Sequence, residues 1–214
     1  MKKWYSLILL IVLFSCKKKE EDYLISGTVF NPELNQSVSQ MQISLWGTTV
    51  SNGSIQNQFS QLASVQTASD GSFSFKFKKS VYSALKLVLY RSDYFQQETA
   101  INPDNLSPGK EYKMTIQSHA LGWIKTTIQN TGTQHDADNV YYKLSLPYTS
   151  CTTCCNTSAQ NFSGASVNTS WTCNVYGGSK ITIQWIYTYN TINQSHFDTL
   201  LVPVNDTLAY PIFY

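Results

Sequence analysis

Four cysteines lie close together in the second half of the chain, and their thiols are its most reactive side chains: Cys151, Cys154, Cys155 and Cys173. Cys-x-x-Cys is a zinc-ligand spacing, but the side chains of adjacent Cys154 and Cys155 diverge, which makes a shared tetrahedral site awkward. An even number of cysteines favours disulfides over a metal site or a redox-active pair where a chain folds outside the cytosol. Because a bond between neighbours is strained, we expect Cys173 to join Cys154 or Cys155, with Cys151 bonded to the other.

The segment that these cysteines cross-link, 147–173, is rich in Thr, Ser and Asn and is the longest stretch without a strand pattern. We therefore predict a loop, which a disulfide would stabilise by about 3 kcal/mol. Ordered loops on rigid scaffolds often carry recognition. The loop with its Trp171 is our predicted recognition element, and the alternative is an insertion without a binding role.

A second set of possible ligands is His135-Asp136-Ala137-Asp138, whose imidazole and carboxylates could collect a divalent ion. The set lacks the spaced oxygen ligands of a calcium loop, so we favour an exposed turn between strands. His119 and His196 have no cysteine or serine partner that spacing identifies. The patterns Gly-x-Ser-x-Gly, His-Glu-x-x-His and the phosphate loop do not occur, which excludes several large enzyme classes. We expect no catalytic residue, no metal and no cofactor.

Aromatic side chains are abundant, and four tryptophans with the many tyrosines could form a platform that stacks against sugars: Trp46, Trp123, Trp171 and Trp185. Aromatic residues at strand spacing lie more often in a core than on a binding surface. We therefore predict that Trp123 and Trp185 are core residues, and a sugar platform is the alternative.

Two tripeptides near the carboxyl terminus share the order Asp-Thr-apolar, namely Asp198-Thr199-Leu200 and Asp206-Thr207-Leu208. They resemble the acceptor motif of a periplasmic O-glycosylation system. The resemblance implies that Thr199 and Thr207 are candidate O-glycosylation sites, and the alternative is that the tripeptides occur by chance.

The amino-terminal segment has the organisation of an export signal. Two lysines precede an apolar run, 4–14, which is followed by Ser15 and Cys16. A membrane span needs about 20 apolar residues, so this run is too short for a permanent anchor and suits a cleaved signal. The pattern resembles a Gram-negative lipoprotein signal peptide, which implies that Cys16 is acylated and becomes the new amino terminus. The alternatives are an uncleaved anchor and a secretory signal with an incidental cysteine.

This interpretation divides the start of the chain into a signal peptide, 1–15, and a lipidated cysteine with a charged tether, 16–22. In lipoproteins of enteric Gram-negative bacteria an aspartate after the cysteine favours inner-membrane retention, and here Lys17 stands in that place. We predict a lipid anchor in the outer membrane, facing the periplasm or the cell surface. Each buried methylene of an acyl chain contributes about 0.8 kcal/mol, so two or three chains anchor the protein essentially permanently.

The charge balance excludes some partners. The chain has 15 basic and 13 acidic residues, and without Lys2 and Lys3 the counts become 13 and 13. Nucleic acids and anionic membrane surfaces require clustered Lys and Arg, which are missing, so we expect no nucleic-acid partner. Few charges with many Ser, Thr, Asn, Gln and Tyr are typical of strands that have one face in a core and one in water. The composition indicates an exported all-β protein.

From Tyr23 onward the chain consists of short alternating segments between turns, which predicts β strands. The predicted strands are 25–29, 41–46, 59–65, 73–77, 85–90, 112–117, 122–130, 140–146, 181–189, 197–204 and 208–214. Segment 73–77 places three Phe rings on one face. Segment 85–90 is more uniformly apolar, which predicts a central strand buried on both sides.

Three segments of the first half carry a family resemblance: 25–29, 42–47 and the turn and strand at 70–75. They resemble the carboxypeptidase regulatory-like (transthyretin-like) domain over about half of the mature chain, 23–117. The resemblance implies a structural β-sandwich that has no catalytic residues to transfer. This chain departs from the pattern in a long polar insertion, 47–58, between its second and third strands.

A second unit is expected to begin near His119, because 122–130 echoes 24–31 with matches at Ile124, Thr127, Ile128 and Asn130. We predict an all-β protein of two tandem β-sandwich (transthyretin-like or Ig-like) domains, 23–118 and 119–214, with the disulfide-stapled loop 147–173 in the second. The expected function is non-catalytic: structural support, adhesion, or binding of an envelope protein or glycan. The alternative is a hydrolase or enzyme-accessory lipoprotein with a site in the second domain.

Overall fold

The computed structural model describes residues 21–51, 54–55, 58–132, 138–189 and 192–214. Within these residues the chain forms sixteen β strands and one short 3-10 helix, Pro103–Asn105. The predicted all-β class is therefore confirmed. No helix in the described part is long and apolar enough to span a bilayer.

The first nine strands form two sheets that enclose one hydrophobic core, and we call this unit the N-terminal sandwich. Its strands are β1 (Tyr23–Asn31), β2 (Gln36–Ser37), β3 (Gln42–Ser51), β4 (Ser54–Ile55), β5 (Ser60–Gln66), β6 (Ser72–Phe77), β7 (Tyr82–Tyr90), β8 (Gln97–Ile101) and β9 (Glu111–Gln117). One sheet has the order β2-β1-β6, with β9 parallel to β1 on its other side. The second sheet has the order β4-β3-β7-β8, with β5 paired to β3.

The remaining strands form two sheets around a second core, and we call this unit the C-terminal sandwich. Its strands are β10 (Leu121–Gln129), β11 (Asn139–Ser145), β12 (Gln160–Ser163), β13 (Asn168–Tyr176), β14 (Lys180–Tyr189), β15 (Ile192–Leu201) and β16 (Thr207–Phe213). The sheets have the orders β13-β10-β16 and β12-β11-β14-β15. The division of the chain into two domains at 118/119 stays a prediction.

The two sandwiches repeat one topology. The opening strand β1 pairs antiparallel with β2 and β6, and the opening strand β10 pairs antiparallel with β13; each also pairs parallel with the last strand of its sandwich. The sequence echo falls on equivalent positions: Val29 lies opposite Ile116, and Ile128 lies opposite Ile212. All four of these side chains are buried. The faint similarity between the two segments thus corresponds to the same strand in two copies of one arrangement.

Alternation with a period of two explains which faces are buried. Phe73, Phe75 and Phe77 point into the N-terminal core, as predicted. The prediction that β7 is buried on both sides is wrong, because Leu87 and Leu89 are buried while the side chain of Lys86 lies on the outer, partly solvated face. β7 is central within its sheet, since it pairs with both β3 and β8. In a two-layer sandwich the outer face of even a central strand meets water.

The cysteines form two disulfides, Cys151–Cys154 and Cys155–Cys173. This is one of the two pairings that the sequence left open. The prediction of a strand-free segment at 147–173 is wrong, because β12 and most of β13 lie within it. β13 is polar on its outer face and has few large apolar residues on its inner face, so its strand pattern is weak in the sequence.

A short linker joins the sandwiches. β9 ends at Gln117 and β10 begins at Leu121, and between them Ser118 and Ala120 are buried. Backbone hydrogen bonds fix the linker on both sides: Phe95 N–H donates to the His119 carbonyl, and Gly177 N–H donates to the Ala120 carbonyl. Each sandwich therefore supplies partners for the linker backbone, and the two units pack directly on each other.

Candidate functional site

Several predicted site residues lie outside the described residues, namely Cys16, His135 and Asp136. Asp138 is described, and it is buried rather than on an exposed turn. Its carboxylate accepts a hydrogen bond of 2.9 Å from the amide nitrogen of Asn130. No group of His, Cys, Asp or Glu in the described segments has the arrangement of a metal site.

Trp171 lies on β13 and is half-buried. Its ring meets the ring of Tyr142 edge-on at 5.4 Å and stacks on Phe162 at 5.8 Å. Both partners belong to the C-terminal core or pack against it. These contacts give Trp171 a packing role, and its role in recognition stays a prediction.

Thr199 and Thr207 are both exposed. The hydroxyl of Thr199 lies 3.4 Å from that of Thr182 on the neighbouring strand, and the Thr207 N–H donates to the Asp206 carboxylate at 2.7 Å. Exposure makes both hydroxyls accessible to a modifying enzyme, and their O-glycosylation stays a prediction.

The most distinctive arrangement of side chains lies at the β15 end of the sheet β12-β11-β14-β15, where β14 and β15 pair along ten residues each. Trp185 and His196 are directly opposite each other in this pairing. Their rings stack with centroids 3.9 Å apart and planes inclined by 9°. Trp185 is half-buried and packs against the core, whereas His196 is exposed. The stack therefore presents an aromatic surface to solvent from a rigid base.

A hydrogen-bond chain extends this surface toward the opposite sheet. The indole N–H of Trp185 donates to the Tyr210 hydroxyl at 3.1 Å, and that hydroxyl donates to the carboxylate of Asp198. Burial and the adjacent Asp198 carboxylate raise the pKa of Tyr210 to about 12, against a smaller opposing effect from Trp185. The Tyr210 hydroxyl is thus a fixed, protonated donor, which is unsuited to act as a nucleophile or general base near neutral pH.

Two further rings enlarge the patch. Tyr187 lies beside Trp185 with ring centroids 6.2 Å apart, and Tyr214 lies 6.1 Å from Tyr187. We call the resulting set the aromatic cluster, and its members are Trp185, Tyr187, His196, Asp198, Tyr210 and Tyr214. Ring faces beside a fixed carboxylate can hold a flat, amphipathic ligand, because stacking covers its apolar face while Asp198 accepts its hydroxyl hydrogens.

Sequence reasoning found only part of this cluster. It predicted Trp185 to be a core residue, and the ring does pack against the C-terminal core with one side. Trp123, predicted to be a core residue as well, lies on the opposite face of β10 from buried Ile124. His196 was left without a partner. Recognising 181–189 and 192–201 as a hairpin with a two-residue connection would have placed His196 opposite Trp185.

A polar cavity of about 460 Å³ lies where the two sandwiches meet. Its walls include Phe95, His119, Tyr176 and the segment with the Cys151–Cys154 disulfide. The His119 and Tyr176 rings stack at 3.9 Å and Tyr148 stacks on the Tyr176 ring at 3.9 Å. Because these rings stack on one another, their faces are already in contact with protein. We therefore assign the cavity to the packing of the two sandwiches rather than to ligand binding.

Comparisons with protein-family models and with curated proteins return no match. Among solved structures, the chain resembles the Bacillus anthracis TIE protein with a TM-score of 0.35 and 6% identity, over 91% of this chain and 34% of that one. It therefore spans about a third of that protein. It also resembles the shaft pilin SpaA from Lactobacillus rhamnosus GG, with a TM-score of 0.33 and 6% identity over 90% of this chain and 97% of the pilin. A third likeness is to GBS52, the minor pilin of Streptococcus agalactiae, with a TM-score of 0.32 and 8% identity over 89% and 94% of the two chains. At these scores the likenesses carry no argument about function.

Proposed function

We propose that this chain is a non-catalytic binding protein of the cell envelope, held by a lipid on Cys16 in the outer membrane, and that its C-terminal sandwich binds carbohydrate. The observation that carries the binding proposal is the exposed stack of His196 on Trp185 beside the Tyr210–Asp198 hydrogen bond. Sugars have apolar C–H faces and hydroxyl rims, and the aromatic cluster offers a complementary surface for each.

The support is energetic as well as geometric. Trp185 is held from below by the core and from the side by its bond to Tyr210, so its orientation is fixed before a ligand arrives. Binding to a preorganised ring loses less conformational entropy than binding to a mobile one. The same hydrogen bonds engage the Tyr210 proton, and the exposed His196 ring, which covers one face of Trp185, is available for contact, which favours recognition over hydrolysis.

The anchoring proposal rests on the sequence around Cys16. Substitution of Cys16 by Ser removes the acylated sulfur, so the protein should leave the membrane fraction. Membrane partition of the Cys16→Ser chain equal to that of the unmodified chain would refute lipidation. This experiment is separate from any test of carbohydrate binding.

Affinity electrophoresis through gels that contain a soluble neutral glucan, mannan or galactan tests the binding proposal. We expect at least one polysaccharide to retard the protein, and both Trp185→Ala and His196→Ala to weaken that interaction by about tenfold or more. Trp123→Ala is the matched control, because it removes a half-buried tryptophan from the same sandwich outside the cluster. Equal loss in Trp123→Ala and Trp185→Ala, or no retardation by any of the three polysaccharides, would contradict the proposal.

A further inference from the structure

The strand β15 is an edge of its sheet, since it pairs only with β14 among the described strands. It has ten residues, and nine of them are exposed. In an antiparallel ladder every second residue of an edge strand directs its N–H and C=O away from its neighbour. About half of the backbone groups of β15 are thus turned outward, ready to pair with another strand.

This edge differs from its counterpart in the N-terminal sandwich. The strand at the equivalent place is β8, which has only five residues and carries an ion pair between Glu98 and Lys86 of β7. Short edges and charged side chains both discourage pairing with other chains. β15 is twice as long, contains no lysine, arginine or proline, and pairs with β14 without a register shift.

Four other edge strands of seven residues or more carry features that limit pairing, and one of them, β5, pairs with β3 through a register shift. β16 contains Pro211, which lacks an N–H, and β9 contains Lys113. One end of β13 is already bridged by Cys154 opposite Asn174. On β15, by contrast, large apolar side chains are exposed: Ile192 by 64%, Phe197 by 69% and Leu201 by 61%. Apolar groups along an unprotected edge are typical of a surface that another strand covers.

We propose that a second copy of this chain covers β15, by antiparallel pairing of β15 with β15 around a two-fold axis at Phe197. This register places Phe197 opposite Phe197 of the second copy on the outer face. On the inner face it places His196 of each copy opposite Asp198 of the other. The two-fold symmetry therefore produces two such pairs. An imidazole N–H can donate to a carboxylate, so the strand is complementary to itself in both its apolar and its polar positions.

Neighbouring registers lack this complementarity. A shift of the two-fold axis to residue 198 brings the two Asp198 carboxylates opposite each other, and like charges in that position are destabilising. A shift to residue 196 brings the two histidines together and leaves Asp198 opposite Gln194. If one strand is shifted by a single residue relative to the other, each inner-face side chain of one copy lies beside an outer-face side chain of the other copy. Among these registers, the axis at Phe197 is therefore the one that satisfies both faces.

The first test measures the oligomeric state of the full chain in a density-matched detergent by sedimentation equilibrium. We expect twice the polypeptide mass for the unchanged protein. Phe197→Lys places two ammonium groups across the axis, so the dissociation constant should rise about tenfold or more. Phe213→Lys is the matched control: Phe213 is also an exposed aromatic residue, 57% accessible, but it lies on β16. It should leave the dimer unchanged.

The second test uses cross-linking and does not depend on how well a charged variant folds. Side chains directly opposite in antiparallel strands have Cβ atoms about 5 Å apart, which is near the reach of a disulfide. Phe197→Cys should therefore give a covalent dimer under mild oxidation in native membranes, whereas Phe213→Cys should not.

Either of two results would overturn the proposal. One is that the unchanged chain remains a monomer over the micromolar range. In that case any strand that covers β15 would have to come from a different polypeptide. The other is a dimer that survives Phe197→Lys and forms no covalent bond in the Phe197→Cys variant, which would place the interface elsewhere. Phe197 lies outside the aromatic cluster, but His196 and Asp198 belong both to the cluster and to the proposed dimer contact, so carbohydrate binding of Phe197→Lys is measured together with its oligomeric state.

Discussion

The imidazole Nδ1 of His119 lies 2.9 Å from both carboxylate oxygens of Glu33. Glu33 follows β1 in the N-terminal sandwich, and His119 lies in the linker that leads into the C-terminal sandwich. Both side chains are mostly buried, with 17% of His119 and 13% of Glu33 accessible. The His119 ring also stacks on Tyr176, so this contact joins the first sandwich to an aromatic column of the second.

The first prediction concerns this contact. Glu33→Gln should lower the free energy of unfolding by about 1–2 kcal/mol, because it weakens a mostly buried hydrogen bond to a charged group. Glu98→Gln is the control, since Glu98 pairs with Lys86 at 54% side-chain accessibility and such surface pairs contribute less than about 1 kcal/mol. Urea unfolding followed by tryptophan fluorescence measures both. Equal losses would contradict a special role for the contact at the junction.

The second prediction separates the two disulfides. Cys155 and Cys173 are 18 positions apart, whereas Cys151 and Cys154 are only 3 apart. In the chain-entropy description, removing the longer cross-link costs about 3 kcal/mol and removing the shorter one about 2 kcal/mol. Paired Cys→Ala variants compared by urea unfolding should show the larger loss for Cys155/Cys173. That bridge also ties a buried cysteine to β13, so the reverse order would contradict its structural role.

The third prediction concerns Tyr210, whose pKa is raised to about 12 by burial and by the Asp198 carboxylate. Because the folded value exceeds the unfolded value of about 10, the stabilisation from Tyr210 is complete below pH 10 and is lost as pH rises toward 12. Asp198→Asn removes the negative charge and should shift the titration of Tyr210 downward. NMR of tyrosine labelled at Cζ measures this shift, and Tyr210→Phe identifies the signal.

Asp206→Asn is the control for that experiment, because it changes an exposed carboxylate whose hydrogen bond goes to Thr207 N–H. It should leave the Tyr210 titration where it is. A Tyr210 signal that moves equally in Asp198→Asn and Asp206→Asn would show that the specific hydrogen bond is unimportant.

The fourth prediction concerns acid stability. Arg91 donates to both carboxylate oxygens of Asp93 at 2.6 and 2.7 Å, and these bonds lower the pKa of Asp93 against the opposing effect of burial. A lowered folded pKa means that the stabilisation is present above the unfolded value of about 4 and is lost as pH falls through the folded value. Asp93→Asn should therefore be less stable than the unchanged chain at pH 7, and the difference should shrink below pH 4.

Arg91→Gln removes the other partner and should show the same pH dependence. Thermal unfolding from pH 2 to pH 7 measures all three proteins. A stability difference that does not change with pH would mean that the Asp93 side chain acts through its packing and neutral hydrogen bonds, rather than through its charge.

Much of the fold could be predicted where alternation is strong. Segments 73–77 and 181–189 each place bulky rings or aliphatic groups at every second position, and both form strands as expected. β15 was predicted at 197–204 but runs from Ile192 to Leu201, because its exposed first half has no apolar face to create a pattern. β8 and β13 were missed because their exposed positions are polar or small and their buried positions carry few large apolar residues.

The candidate site was harder to predict, since it depends on contacts between strands. Trp185 and His196 are eleven positions apart and meet only through the hairpin register, while Tyr210 reaches them from the other sheet. His119 and Glu33 are separated by 86 positions. Spacing along the sequence carries no signal for such pairs. For the cysteines, elimination left two pairings, and the choice between them depended on the position of β13 relative to Cys155.

The parallel pairing of β1 with β9 also determines how the protein bears mechanical tension. Seven residue pairs, from Leu24–Glu111 to Phe30–Gln117, hold these strands side by side. A pull between the start of β1 and whatever follows β9 runs along both strands, across the direction of the hydrogen bonds that join them. All of those hydrogen bonds are loaded in shear at the same time, so they must break together rather than one after another. Under the proposed anchoring at Cys16 and binding by the C-terminal sandwich, tension between the two would load the β1–β9 pair in shear.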